Sequence, residues 1–96
     1  MFLREHGISF VIVPGVTSAI AGAAYAGIPV THRGVATSFR VITAHNRHDE
    51  TTDIDFASML DPTETLVFLM GLGKVAEIAE GLLTAGRNPM TAVAVI

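Results

Sequence analysis

Cysteine is missing from all 96 residues. That absence excludes disulfides and thiolate metal centres, and it accords with a cytoplasmic setting. Charge is sparse: 16% of residues are Asp, Glu, Lys or Arg, the formal net charge is -3, and no run of one sign occurs. Neither a basic track for nucleic acid nor a polybasic membrane patch can be drawn from such a pattern, so neither partner is expected. The opening MFLREHGISF lacks the long apolar core and small-residue cleavage site of a secretory leader. The run from Val16 to Val30 is too short and too rich in glycine to cross a bilayer, which takes about 20 apolar residues. Internal repeats and low-complexity segments are also lacking.

What is present is apolar. Half the residues are hydrophobic and the mean hydropathy is +0.53. A small domain has much surface for its volume and normally covers it with polar residues. Apolar faces that this chain does not bury alone are therefore expected, with a partner subunit or further polypeptide to cover them.

Punctuation divides the chain. Ile8 to Val13 is short, continuous and rich in branched residues, which predicts a strand. Pro14-Gly15 ends it, and Thr17 or Ser18 caps a helix running to about Ala26. Gly27 and Pro29 stop that helix. Thr31 to Thr37 reads as a linker. Phe39 to Ala44 predicts a second strand, followed by the polar loop HNRHDETTD. Ile54 to Leu60 predicts a short helix, Thr65 to Met70 a third strand, and Lys74 to about Ala85 an amphipathic helix. Val75, Ile78, Ala79, Leu82 and Leu83 share one face of it. Gly86 and Pro89 close it, and Thr91 to Ile96 predicts a fourth strand. Strands alternating with helices define an α/β class with mostly parallel pairing. A strand at each end without its covering partner suggests a piece of a larger fold.

Four groups of residues invite a chemical reading. The turn from Pro14 to Ser18 lies where a parallel strand hands over to a helix, the edge at which open α/β sheets hold ligands. Its bland reading is a plain helix cap. Gly71 to Ala76, GLGKVA, formally satisfies the dinucleotide pattern G-x-G-x-x-G/A, or is a tight turn with backbone glycines. It is no Walker A loop, because Phe68 and Val75 stand where Gly and Ser or Thr belong. His45, His48, Asp49 and Glu50 could gather a metal, yet such clusters are more often solvated loops, and no metal is expected. Ser18, Gly22 and Ala26, with Ala19 and Ala23, make a thin helix face that lets a neighbour pack closely.

Four stretches carry a resemblance: VPGVTSAIAGAAYAGIPVTHRG (13–34), SFRVITAH (38–45), TLVFLMGL (65–72) and AGRNPMTAVAVI (85–96). In this order they resemble the tetrapyrrole methylase family, specifically its branch that methylates uroporphyrinogen III. The pair VPGVTSA and GIPVTHRG is specific to that branch. The resemblance implies two α/β domains with S-adenosylmethionine in the cleft between them, and a homodimer. It implies methyl transfer to C2 and C7 of uroporphyrinogen III, giving precorrin-2 on the route to sirohaem and cobalamin. Residues 1–30 would be the tail of the N-terminal domain, 31–37 the interdomain linker, and 38–96 the first half of the C-terminal domain. Thr17, Ser18 and Met70 would contact the cofactor, leaving Gly71 and Gly73 a structural role. The family's Gly-Gly-Asp loop and its later Gly-Thr turn are not in this sequence, so the chain is expected to be inactive alone. Arg33 and Arg40 are candidate partners for substrate carboxylates, and no catalytic base is assigned. The competing readings are a dinucleotide-binding half-domain built on Gly71–Ala76 and a non-enzymatic interaction module.

Overall fold

A computed structural model describes residues 1–44 and 54–96. The described elements, in chain order, are α1 (Phe2–Glu5), α2 (Ser18–Tyr25), β1 (Ser38–Thr43), β2 (Glu64–Leu69) and α3 (Val75–Ala85). Single turns of 3-10 helix occupy Phe56–Ser58 and Leu72–Lys74. β1 and β2 pair in parallel, from Ser38 opposite Glu64 to Thr43 opposite Leu69. The ladder extends beyond both ends, with the Thr37 amide donating to Thr63 O and the Ala44 amide to Leu69 O, each at 2.9 Å. Parallel strands alternating with helices are the α/β class expected.

The two long helices follow the sequence punctuation closely. Thr17 is the N-cap of α2, and its Oγ1 accepts the amide of Ala19 at 3.2 Å. At the far end Gly27 takes a left-handed φ of +76. The amides of Gly27 and Ile28 then donate back to Ala24 O and Ala23 O, the double closure of a Schellman motif. α3 ends alike: Gly86 has φ +110, its amide reaches Leu83 O at 3.1 Å, and the Arg87 amide reaches Leu82 O at 2.9 Å. Residues 32–36 form a tight hairpin, with His32 and Ala36 bridged in antiparallel fashion.

Three expectations require correction. Ile8–Val13 and Thr91–Ile96 are not strands: neither joins a ladder among the described residues. Branched apolar composition favours an extended backbone, but a strand exists only through a neighbour that takes its hydrogen bonds. The helix expected at Ile54–Leu60 contracts to the single turn Phe56–Ser58, because Pro62 follows and the Ser58 hydroxyl bonds Asp55 O at 2.8 Å. α1 was not foreseen; four residues carry too little periodicity to announce a helix. The loop with His45, His48, Asp49 and Glu50 lies outside the described residues.

Burial is thin. Among the described residues, those buried are Ala19, Ala44 and Met59. The chain has a radius of gyration of 16.7 Å, against about 12.5 Å for a compact domain of this length. Its accessible surface is 7441 Å², where a folded monomer of the same mass shows about 5,300 Å². The apolar surplus expected from composition is therefore exposed, from Val11 and Val16 at one end to Val93 and Ile96 at the other.

Candidate functional site

A long open groove of about 890 Å³ runs between α2, β2, α3 and residues 91–96. Its walls are mostly apolar, with Glu64 and Arg87 the charged residues among those lining it. The volume lies within the range that holds a drug-sized molecule. α3 turns its apolar face to this groove, including Ile78 and Leu82. The thin face of α2 forms another wall, and its Gly22 lies close to the Ile96 side chain. Of the small-residue face, Ser18, Ala19, Gly22 and Ala23 line the groove, while Ala26 is exposed.

Ser18 and Met70, far apart in sequence, line this one groove. Ser18 opens α2, where the first turn leaves backbone amides aimed outward. Met70 follows the last residue of β2 with φ +56, a left-handed backbone in a residue that has a side chain. Such strain costs about 1–3 kcal/mol and gathers at binding sites. Met70 is also well exposed, at 73%. Thr17 stands beside the groove as the helix cap and is not among its lining residues.

The remaining candidates separate. Arg40 is engaged: Nη1 donates to Ser58 Oγ at 2.8 Å, Nη2 to Ser58 O at 3.2 Å, and Nη2 pairs with Glu64 Oε1 at 3.0 Å. Its guanidinium ties β1, β2 and the 56–58 turn together, which removes it as a carboxylate receptor. Arg33 sits exposed in the hairpin closed by His32 and Ala36. Gly71 and Gly73 do not use left-handed backbone. Gly71 is wedged instead, since a Cβ there would lie 3.3 Å from Ile78 Cδ1 and 3.4 Å from Phe68 Cβ. A 3-10 turn then separates this glycine from the first residue of α3, so the turn does not feed straight into the helix as a dinucleotide fingerprint does. Groups of three or more His, Cys, Asp or Glu suited to a metal are absent among the described residues. No described helix is long and apolar enough to cross a membrane.

Sequence reasoning missed Arg87. Its Nη1 donates to Met59 O at 2.6 Å and to Asp61 O at 3.1 Å, and its Nη2 to Glu64 O at 3.3 Å. The signal was present in Gly86-Arg87: a Schellman glycine sets the direction of the residue after it.

The groove runs the length of β2, and at that strand's carboxyl end it meets the start of α2 and the strained turn at Met70, the edge at which open α/β sheets hold ligands. The chain belongs to the tetrapyrrole (corrin/porphyrin) methylases, whose family model matches residues 1–96. It is 45% identical over 95 residues to a uroporphyrinogen-III C-methyltransferase of Bacillus subtilis, covering 98% of this chain and 20% of that protein. It is 48% identical over 94 residues to a sirohaem synthase of Pseudomonas paraeruginosa, again 98% of this chain and 20% of the relative. Among solved structures it resembles the uroporphyrin-III C-methyltransferase of Thermus thermophilus complexed with S-adenosylhomocysteine. That match has a TM-score of 0.69 and 39% identity, over 92% of this chain and 36% of the other. The chain thus spans about a fifth of the length of the curated relatives it matches.

Proposed function

We propose that this chain is the central part of an S-adenosylmethionine-dependent methyltransferase that converts uroporphyrinogen III to precorrin-2 by methylation at C2 and C7. The product serves sirohaem and cobalamin synthesis, in a cytoplasmic homodimer. In this reading residues 1–30 close the first domain, 31–37 link, and 38–96 begin the second. The observation that carries it is the meeting of Ser18 and the left-handed Met70 on one groove, in a chain whose solved relative holds the demethylated cofactor.

The residues present fit that cofactor. The groove is mostly apolar, and its one arginine is already committed to carbonyls. S-adenosylmethionine carries no phosphate and, when bound, supplies a methyl group activated on a sulfonium. The work left to the protein is placement, because aligning reactants removes much of the barrier. Ser18 and the start of α2 hold one side, and the Met70 turn holds the other. α3 supplies an apolar wall. Arg33 remains the candidate for a substrate carboxylate, and Arg40 does not.

The test grafts residues 1–96 into the Bacillus subtilis relative in place of the matching span. The chimera should bind S-adenosylhomocysteine and methylate uroporphyrinogen III. The isolated chain should bind more weakly than about millimolar and not turn over, since each tenfold of affinity is about 1.4 kcal/mol. In the chimera, Thr17→Val removes the cap acceptor and should cost about 1 kcal/mol of stability, with a several-fold loss of cofactor affinity. Unchanged affinity with lowered stability would make Thr17 a cap alone. A folded chimera that binds no S-adenosylhomocysteine overturns the reading.

A further inference from the structure

We infer that Arg87 is a positioning residue for the Met70 turn, acting through α3 as a rigid lever; its functional meaning rests on the reading above. Just past the Schellman closure at Gly86, the Arg87 side chain reaches the segment that leads into β2. There its planar fork serves three carbonyls, those of Met59, Asp61 and Glu64, with two nitrogens. Glu64 is the first residue of β2. The last turn of α3 is thereby pinned to the entry of the strand that ends beside Met70.

At the other end of α3, Ile78 touches the turn. A Cβ at Gly71 would lie 3.3 Å from Ile78 Cδ1, closer than side chains normally pack. A shift of the helix therefore reaches the turn directly. Between the two points lies one helix of 11 residues, about 16 Å of stiff rod. β2, six residues long, gives about 20 Å of strand running alongside. Both parts join at the 70–74 turn and at Arg87. With the lower joint cut, the remaining contacts of α3 allow it to swing about Phe56, and the swing is read at Gly71.

Backbone hydrogen exchange tests this. The reporter is the Lys74 amide, which donates to Gly71 O at 2.9 Å. Arg87→Met keeps length and removes every donor. It should raise exchange at Lys74 about fivefold, with less than about twofold change at β1 amides. Arg87→Lys keeps one compact donor without the fork, and should fall between. A uniform rise across β1 and the turn would show mere loss of stability and overturn the inference. A change confined to residues 59–64 would overturn it equally. Should Arg87→Met fail to fold, Arg87→Lys is read against the same two patterns. A shift at Lys74 in a protein whose grafted form does not bind S-adenosylhomocysteine would keep the lever and refute the proposed function. Binding without a shift would do the reverse.

Discussion

The ring of Phe56 occupies the space where a side chain on Gly81 would begin: its Cδ2 and Cζ lie 2.6 Å from the position a Cβ would take. The 3-10 turn at Phe56–Ser58 is locked onto the middle of α3 by this contact, ring against bare backbone.

Gly81→Ala should therefore destabilise. In an exposed helix the change would gain about 1 kcal/mol. Here the methyl must displace a half-buried ring that is held by the turn behind it, an overpacking cost of about 1–3 kcal/mol. Thermal unfolding should show a net loss. Pairing the change with Phe56→Ala should cost less than the two single effects added. A stabilised Gly81→Ala single variant would show that the ring moves aside freely.

Gly22→Ala should act in the opposite sense. A Cβ at Gly22 would meet Ile96 Cγ2 at 3.8 Å and Ser18 Cβ at 4.0 Å, ordinary contact distances. The methyl fits, and the helix gains up to about 1 kcal/mol from reduced freedom of the unfolded chain. A raised Tm is expected, and a lowered one would mean that residue 96 sits closer to α2 than described.

These two glycines show what sequence reasoning reaches. Both lie inside helices, and only their neighbours decide what a methyl does at each. α2, β1, β2 and α3 were legible because each is bracketed by local chemistry, such as Thr17 and Gly27 or Gly86 and Pro89. Ile8–Val13 and Thr91–Ile96 misled because a strand is a relation between two segments, and composition reports one. Ser18 and Met70 came from family resemblance. The strain at Met70 left no trace in residue types, since methionine rarely takes left-handed backbone. Arg40 looked available because its partners Ser58 and Glu64 lie 18 and 24 residues away.

Asp61 should set a small acid sensitivity. Its carboxyl is held below its ordinary value of 3.8, first by the Thr63 hydroxyl, then by the Thr63 amide, with a lesser contribution from Arg87. Oδ1 accepts the two Thr63 bonds at 2.7 and 2.8 Å. A lowered folded-state pKa means stability fully present above the unfolded value and lost as pH falls through the folded one. The loss should therefore appear below about pH 4. Thr63→Val removes the hydroxyl and keeps the amide, so the Asp61 titration should move part of the way back up. Carboxyl chemical shifts followed by NMR check it, and an unmoved titration would assign the effect to the amide alone.

Association is the remaining expectation. The accessible surface of 7441 Å² exceeds that of a compact monomer of this mass by about 2,000 Å². A standard stable interface buries about 1,600 Å² in total, so the surplus suffices for one. Its character suits association: Val11 is 86% exposed and Val93 82%, in segments outside any described ladder. Extended apolar backbone with unmet hydrogen bonds pairs with other chains. Light scattering on the 96-residue chain at high micromolar concentration should give at least twice the monomer mass of 10.1 kDa. Val93→Lys with Val95→Lys should reduce that mass, because a lysine row blocks edge pairing. Far-UV circular dichroism should stay the same, because neither side chain is buried. A wild-type chain that remains a well-folded monomer at that concentration would show that the exposed apolar face tolerates water on its own.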